Sequence, residues 1–445
     1  MTVEQPVSTI LGASPVLIAS LLFVGTYVAI ITERINRAIV ALIGAGLMVF
    51  LGVMSQEAAI RGIDFNTLGL LTGMMVIVAI SRRSGVFQYV AVWSAKRARA
   101  RPWGILVMLS LVTAVFSALL DNVTTVLLIA PVTLLITEEL RVSPYPFLFA
   151  EIFASNIGGT ATLIGDPPNI MIGSAVKLSF NDFLLNLAPV TPFILVVTLG
   201  IIYLMWGRGM QASDAARERV MSFNEREAIT DPLLLKQSLA VIALVVLGFV
   251  MAHPLGVEPA TVAMGGAALL LLLSSLGSDA EEQSEHVHKS FSEVEWVTIF
   301  FFVGLFILVH GLETVGVLAV LANKVVELTG GDLALTAMAV IWVSAIVSAI
   351  VDNIPFVATM IPMIKSMAPT FGGAENLMPL WWSLALGACL GGNGSLVGAS
   401  ANLIVAGYAE RAGHRIEFLK FMLVAFPLML VSIVIASIYV YFRFL

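Results

Sequence analysis

Residues 155–169 interrupt a long apolar segment with residue types that a regular helix does not accommodate. They include three glycines and two consecutive prolines, Pro167 and Pro168, and apolar sequence lies on both sides. Glycine and proline free backbone groups that a helix would otherwise bond internally. Within a bilayer, irregular backbone survives only where it is buried in protein or lines a polar cavity. This stretch therefore predicts a helix broken at membrane depth beside a polar cavity.

The interrupted stretch occurs twice. Gly-Gly-Thr at 158–160 corresponds to Gly-Gly-Asn at 391–393, and Asp-Asn at 121–122 corresponds to Asp-Asn at 352–353. Interrupted apolar segments at matching positions of two halves indicate the binding site of a secondary transporter. We therefore predict an all-α polytopic membrane protein with two inverted-topology repeats, each containing a re-entrant hairpin and a broken transmembrane helix.

Composition requires lipid as the solvent for much of the chain. Of 445 residues, 59% are hydrophobic and 12% charged, and the mean hydropathy is +0.99. A soluble core cannot absorb that much apolar surface. The single cysteine, Cys389, excludes a disulfide framework and a Cys-rich metal site. No histidine lies near either motif, which argues against a membrane-embedded hydrolase, so we expect no enzyme activity, no cofactor, no metal site and no nucleic-acid partner.

The chain divides into two repeats, predicted at 15–206 and 237–442, joined by a polar cytoplasmic linker at 207–236. The segments on either side of residues 121–122 are either two complete spans or the two arms of a re-entrant hairpin. We favour the hairpin, because a bare Asp-Asn turn suits a protein interior better than a short exterior loop. Residues 86–101 alternate apolar and basic side chains, which predicts an interfacial helix on an anionic membrane face.

The distribution of positive charge predicts the orientation. Threading these elements puts 18 of the 23 Lys and Arg on one side of the membrane. The positive-inside rule makes that side cytoplasmic. Residues 82–101 carry six Lys and Arg, whereas the equivalent residues 313–332 carry only Lys324. The two repeats are therefore expected to run in opposite directions through a cytoplasmic membrane.

Four carboxylates fall in the predicted membrane interior, with no Lys or Arg close to them in sequence: Asp121, Glu151, Asp166 and Asp352. An ionisable group at this depth is costly and indicates function, and we propose proton or ion coupling for all four. The structural alternatives are helix capping for Asp121 and Asp352, a surface position for Glu151, and turn initiation for Asp166. A multiply charged anion would need cations or several helix N-termini beside these acids, whereas a neutral solute, Na+ or H+ would not.

Small amide and hydroxyl side chains near the breaks and tips are the candidate substrate ligands. The alternative for most of them is that they satisfy the unwound backbone. They are Asn122, Thr124, Thr125, Asn156, Thr160, Thr162, Asn169, Asn353, Asn393, Ser395 and Asn402.

These motifs resemble those of the ion transporter superfamily, in its branch of arsenite permeases, melanosomal P protein and D-type sodium/proton antiporters. The resemblance covers nearly the whole chain. It implies inverted repeats whose hairpin tips and broken helices meet at a central site, and a scaffold that often dimerises. By analogy, the substrate site would include Asn122, Thr124, Asn156, Thr160, Asn353, Asn393 and Ser395.

We predict a secondary active transporter for proton-coupled efflux of neutral arsenite or antimonite hydroxide. The alternatives are a Na+/H+ antiporter and a chloride or small-anion transporter, and from another class a passive channel. The expected partners are a small inorganic solute, protons and the lipid bilayer, with a possible second copy of the chain and a possible cytoplasmic ATPase subunit.

Overall fold

The computed structural model describes residues 14–32 and 34–445, which form α-helices and short 3-10 turns and contain no strand. The helices of the first half are α1 (Pro15–Ile31), α2 (Arg37–Phe50), α3 (Gln56–Arg61), α4 (Phe65–Arg82), α5 (Val86–Arg97), α6 (Pro102–Leu119), α7 (Asn122–Leu140), α8 (Tyr145–Gly159), α9 (Pro167–Val176), α10 (Phe180–Asn186) and α11 (Thr191–Met205). In the predicted linker lies α12 (Asp214–Met221). The second half contains α13 (Pro232–Leu255), α14 (Pro259–Ser274), α15 (Ala280–Ser292), α16 (Trp296–Thr314), α17 (Val317–Leu328), α18 (Leu333–Ile350), α19 (Asn353–Lys365), α20 (Met378–Gly391), α21 (Ser400–Arg411) and α22 (Phe418–Phe444).

The helices are those of a multi-pass membrane protein. In the described part of the chain, seven are long and apolar enough to cross a bilayer: α4, α6, α7, α13, α16, α18 and α22. An eighth crossing results if α10 and α11, which meet at 52°, act as one bent span. Helices α1, α2 and α14 are also apolar but shorter, with 17, 14 and 16 residues.

The two halves repeat each other helix by helix. Helices α4 to α7 begin at residues 65, 86, 102 and 122, and α16 to α19 begin at 296, 317, 333 and 353. Packing between the halves is reciprocal, because α4 packs on α14 as α16 packs on α2, and α7 packs on α21 as α19 packs on α9. The predicted all-α architecture of two inverted-topology repeats with hairpins and broken spans is confirmed.

Each hairpin tip lies against the interruption of the broken span in the same repeat. The Asn122 backbone N–H donates to Gly165 O at 3.0 Å. Ser117 Oγ donates to Ser155 O at 2.6 Å, and Ser348 makes the equivalent bond in the second repeat. The arms α6 and α7 are each about 27 Å long, which is enough to cross a bilayer. The tip nevertheless contacts a break inside the protein, as the hairpin interpretation requires.

The interruption of the first broken span is narrower than predicted. Helix α8 continues to Gly159, and irregular backbone is confined to residues 160–166. The expectation that no helix passes through residues 155–159 is therefore wrong. Gly158 serves a different purpose, because a Cβ there would lie 2.2 Å from Ala114 O. Its missing side chain permits close contact between α8 and α6. Gly391, the last residue of α20, makes a similar contact, because a Cβ there would lie 2.6 Å from the Cα of Ala345.

The basic interfacial helix ends earlier than predicted and contacts protein. Helix α5 stops at Arg97, since Arg99 and Ala100 have left-handed backbone, with φ of 55° and 50°. Lys96 Nζ donates to Glu225 Oε2 at 2.5 Å and to Phe223 O at 3.0 Å, both in the predicted linker. This hydrogen bond lowers the pKa of Glu225. Lys96, one of the basic residues expected to face lipid, thus binds the linker instead.

Candidate functional site

Four asparagines from both repeats form one hydrogen-bonded chain at the breaks. Asn402 Nδ2 donates to Gly392 O at 2.7 Å and to Ser395 O at 2.8 Å, which leaves its Oδ1 as an acceptor. Asn156 Nδ2 donates to that Oδ1 and to Asn393 Oδ1, both at 3.0 Å. Asn122 Nδ2 then donates to Asn156 Oδ1 at 3.1 Å. Because carbonyl oxygens can only accept, the orientation of every amide in this chain is fixed.

The chain of amides ends in a free acceptor and a free donor. Asn122 Oδ1 and Asn393 Nδ2 are buried and have no partner. Other buried oxygens are also unpartnered, and two of them belong to residues near Asn122. They are Thr125 Oγ1, one turn along α7, and Asp166 Oδ2, on the residue after the Gly165 carbonyl that the Asn122 N–H binds. Buried polar atoms are nearly always hydrogen-bonded, so each such exception requires an explanation. A ligand that both donates and accepts hydrogen bonds would satisfy this set.

Asp166 connects the first break to the second hairpin tip and does not cap its helix. It immediately precedes α9, yet its side chain makes no capping bond. Its Oδ1 accepts from Asn353 Nδ2 of the second hairpin tip at 3.3 Å. It is fully buried, and the Cys389 thiol is its neighbour. The repeat-equivalent residue is Ala399, so this carboxylate breaks the symmetry of the two halves.

Several predicted ligands instead hydrogen-bond to backbone carbonyls of the breaks and of the hairpin arms. Thr160 Oγ1 donates to Asn156 O at 2.7 Å, and Thr162 Oγ1 to Ala118 O at 2.5 Å. Asn169 Nδ2 donates to three carbonyls of the first break, as Asn402 does to two of the second. Ser395 Oγ donates to a carbonyl of the second hairpin at 2.6 Å. These side chains shape the breaks, and their hydroxyl and amide hydrogens are already used.

Asp121 caps the second arm of its hairpin. Its Oδ1 accepts from the backbone N–H of Thr124 at 2.7 Å, and its Oδ2 from Thr124 Oγ1 at 2.5 Å. Both oxygens therefore have partners on α7, and the Thr124 hydroxyl is engaged with them. This geometry is that of the capping alternative for Asp121.

Glu151 lies apart from the asparagine chain. Its Oε1 accepts a hydrogen bond from Thr133 Oγ1, between α8 and α7, and its Oε2 has no partner. The residue is 1% exposed. Five helical positions separate it from Asn156, which turns the two side chains to different faces of α8. Glu151 and Asp166 are thus buried at two separate places in the fold.

Asp352 is paired with a cation that sequence reasoning missed. Arg37 Nη1 donates to Asp352 Oδ2 at 2.8 Å and to Ser400 Oγ at 2.7 Å. Asp352 Oδ1 also caps α19 through Ile354 N at 3.0 Å. We expected no Lys or Arg close in sequence to these acids, and that is so. Arg37 is nevertheless a neighbour of Asp352 in space, although 315 positions separate them in the sequence. The only sequence signal was a basic residue at the start of an apolar span.

Broken spans that meet at a buried polar site, within a bundle of apolar helices, define a multi-pass membrane transporter. The chain belongs to the CitMHS family, whose model carries the description "Citrate transporter" and matches residues 27–387.

Known proteins of similar sequence and structure agree with this assignment. An uncharacterised transporter of Mycobacterium tuberculosis is 45% identical over 432 residues, covering 96% of this chain and 98% of that protein. Human P protein is 33% identical over 95% of this chain, which spans 59% of that protein's length. The crystal structure of the Alcanivorax borkumensis YdaH transporter covers 95% of this chain and 97% of its own, at 14% identity, with a TM-score of 0.60. The resemblance to the branch that includes P protein is confirmed.

Proposed function

We propose that the protein exports neutral arsenite or antimonite hydroxide in exchange for protons. The observation that carries this proposal is the free acceptor Asn122 Oδ1 and the free donor Asn393 Nδ2 at the two ends of one chain of amides. Each hydroxyl of a neutral trivalent hydroxide can donate one hydrogen bond and accept another. Such a solute would satisfy both ends at once.

The surroundings of Asp166 support the same solute. Its Oδ2 is a further free acceptor for a hydroxyl group. The Cys389 thiol, fully buried beside it, donates weakly to Asn169 Oδ1 at 3.5 Å. A thiol at this position offers a soft contact to a thiophilic centre. One thiol would not hold the solute tightly, which suits a transporter that must release it.

Proton coupling is proposed for Asp166 and Glu151, the two of the three buried carboxyls outside the ion pair that do not cap a helix. Each has one unpartnered oxygen. A carboxyl in a low-dielectric site exchanges between a neutral and a charged form at a cost that depends strongly on its occupant. Asp352 is less suited to this role, because Arg37 already supplies its counter-charge.

Na+/H+ exchange is the second candidate. The unpartnered oxygens of Asn122, Thr125 and Asp166 are ligands of the kind that a hard cation prefers. A bare cation would, however, leave the Asn393 Nδ2 donor without an acceptor, which favours the hydroxide. Two anions are less suited to this site: citrate, which the family description names, and chloride. Either would have to bind beside the buried Asp166 carboxylate, and the described contacts of Asp166 include no free cation.

Flux into inside-out proteoliposomes tests these alternatives directly. Vesicles with an acidic lumen are supplied in turn with arsenite, Na+, chloride and citrate at the same concentration. We expect arsenite to accumulate only while the pH gradient lasts. Accumulation of Na+ alone would support the second candidate, and accumulation of citrate or chloride alone would contradict both. Equal flux without any gradient would indicate a passive channel.

A matched substitution separates the two favoured solutes. Cys389→Ser keeps a small polar side chain but removes the soft sulfur. Arsenite flux should fall, whereas Na+ flux should change little.

The proposed setting is a cytoplasmic membrane, with the linker on the cytoplasmic side. A second copy of the chain and a cytoplasmic ATPase subunit remain proposed partners. Crosslinking in native membranes would detect the former, and co-purification would detect the latter.

A further inference from the structure

A cavity of ≈ 380 Å³ lies beside the Arg37–Asp352 ion pair. Its walls come from α1, α2, α7, α16, α18 and α21, and they include Thr298, Phe301 and Leu403. The repeat-equivalent of Leu403 is Ile170 on α9, which faces a smaller cavity of ≈ 240 Å³. Leu403 is 37% exposed, whereas Ile170 is 2% exposed. The second broken span is therefore more exposed to its cavity at Leu403 than the first broken span is at Ile170.

Arg37 connects α16 to the second hairpin tip and the second broken span through its side chain. This connection adds to the direct packing of α16 on α19 and to the hydrogen bond from Tyr27 OH to Pro355 O at 2.7 Å. Arg37 starts α2, which is held tightly to α16, since a Cβ on Gly304 would lie 2.6 Å from the backbone of Ala41. Arg37 Nη2 donates to Thr298 Oγ1 at 3.3 Å, and its guanidinium lies 5.0 Å from the Phe301 ring centre, both on α16. We call α2 and α16 the frame.

From the frame, the same guanidinium reaches the second hairpin tip and the second broken span. It binds Asp352 before α19 and Ser400 at the start of α21. Ser400 Oγ also donates to Asp352 Oδ2 at 3.0 Å, which closes a three-residue cluster. Charge-assisted bonds of this kind are stronger than neutral ones and fix geometry.

Among the residues that the structure describes, the first repeat has no equivalent of this cluster. The close contact of Gly73 with Ala263 matches that of Gly304 with Ala41, and this register places Pro259 where the second repeat uses Arg37. Proline has no side-chain donor. Asp121, the equivalent of Asp352, binds only Thr124 on its own helix. Within the described part of the chain, an arginine contact of this kind is thus made at the second tip and not at the first.

We propose that Arg37 is a positioning residue of the transport cycle, which latches the Asp352 tip to the frame and keeps the cavity at Leu403 open. The latch must release when the chain converts to the opposite state, in which Ile170 takes the exposure that Leu403 has here. Since the first repeat offers no such latch, the conformation described here is favoured before any solute binds.

Paired cysteine reporters test the latch without any solute, so the result does not depend on which solute is transported. Leu403→Cys and Ile170→Cys are labelled separately with a water-soluble maleimide in purified, lipid-reconstituted protein, and the ratio of the two rates is recorded. The buried Cys389 gives the background in the parent chain. Arg37→Ala is expected to lower the Leu403-to-Ile170 ratio by about tenfold, which corresponds to ~1.4 kcal/mol.

Two further variants make the test specific. Asp352→Asn should shift the ratio in the same direction, and the double variant should shift it no further than either single one. Arg34→Ala, at an exposed arginine three positions away, is the matched control and should leave the ratio unchanged. If Arg37→Ala does not fold, Arg37→Lys and Asp352→Asn carry the test. An unchanged ratio in the folded variants, or a parallel rise in both labelling rates, would overturn the proposal.

Discussion

Asn156 of the first broken span donates a hydrogen bond to Asn402 of the second at 3.0 Å. The repeat-equivalent pair is Cys389 and Asn169, at 3.5 Å. Twofold symmetry of the backbone is thus retained, while one amide donor is replaced by a weak thiol donor. The site is therefore polar on one side and has a thiol on the other, although the two hydrogen bonds join equivalent positions of the repeats.

Removing either end of the amide chain should weaken solute binding. Asn122→Ala deletes a free acceptor, and Asn393→Ala deletes a free donor. Each loss of a hydrogen bond to a neutral solute should raise the KM of transport by about tenfold or less. Flux at varied solute concentration measures this, and size-exclusion profiles verify the fold. Unchanged KM in both variants would remove these residues from the site.

Glu151→Gln should abolish the pH dependence of transport, because the amide cannot exchange a proton. Thr133→Val is the matched variant, since it removes the hydrogen bond to Glu151 but keeps the carboxyl group. That variant should shift the pH profile without abolishing it. The initial flux is measured between about pH 5.5 and 8.5, in steps of ~0.5 pH. A normal profile in Glu151→Gln would transfer the role to Asp166.

Asp166→Ala should stop coupled transport while preserving the fold. The second repeat already carries alanine at the equivalent position, Ala399, so the backbone there tolerates it. The variant leaves Asn353 Nδ2 without its acceptor. We expect at least ~100-fold lower gradient-driven flux and a similar thermal midpoint. Full coupling in this variant would show that Asp166 is not required.

Gly158→Ala and Gly391→Ala should each destabilise the protein. A Cβ would lie 2.2 Å from Ala114 O in the first case and 2.6 Å from Ala345 in the second. Overpacking of this kind costs about 1–3 kcal/mol. Gly200→Ala in α11, where nothing lies within 4 Å, is the control and should be neutral or stabilising. Thermal unfolding followed by size exclusion distinguishes the three.

The linker should detach from α5 in acid. The pKa of Glu225 is lowered by its hydrogen bond to Lys96, so this contact stabilises the protein above the ordinary value of 4.5 and is lost as pH falls below it. Limited proteolysis of the linker should accelerate between pH 6 and about pH 3.5. Glu225→Gln should cleave rapidly at every pH, whereas Glu218→Gln, at an exposed site, should resemble the parent chain.

The breaks and tips could be predicted because their causes are local. Glycine and proline act on their own backbone, and Asp followed by Asn marks each tip wherever it occurs. The end of α8 was misplaced because Gly158 has no local conformational role. Its role is close packing on Ala114, a contact that only the assembled fold creates.

The sequence could not predict which polar side chains bond to backbone carbonyls and which are left without a partner. Thr125 and Thr162 are the same residue type near the same site, yet Thr162 bonds to a carbonyl while Thr125 Oγ1 has no partner. Carbonyl positions at the breaks decide which hydroxyls are used, and these positions follow from the three-dimensional path of the chain. The pairing of Arg37 with Asp352 depends on that path in the same way.

The glycine contacts at Gly158 and Gly391 leave no clearance between each hairpin and its broken span. If a hairpin slid against its broken span, backbone atoms would overlap. Each hairpin and its broken span therefore have to move together as a rigid body. Movement of one helix alone would not release the bound solute, so the hairpin and its broken span have to move together. In the second repeat, one surface along which such a displacement can occur is the contact of α19 with α16 of the frame.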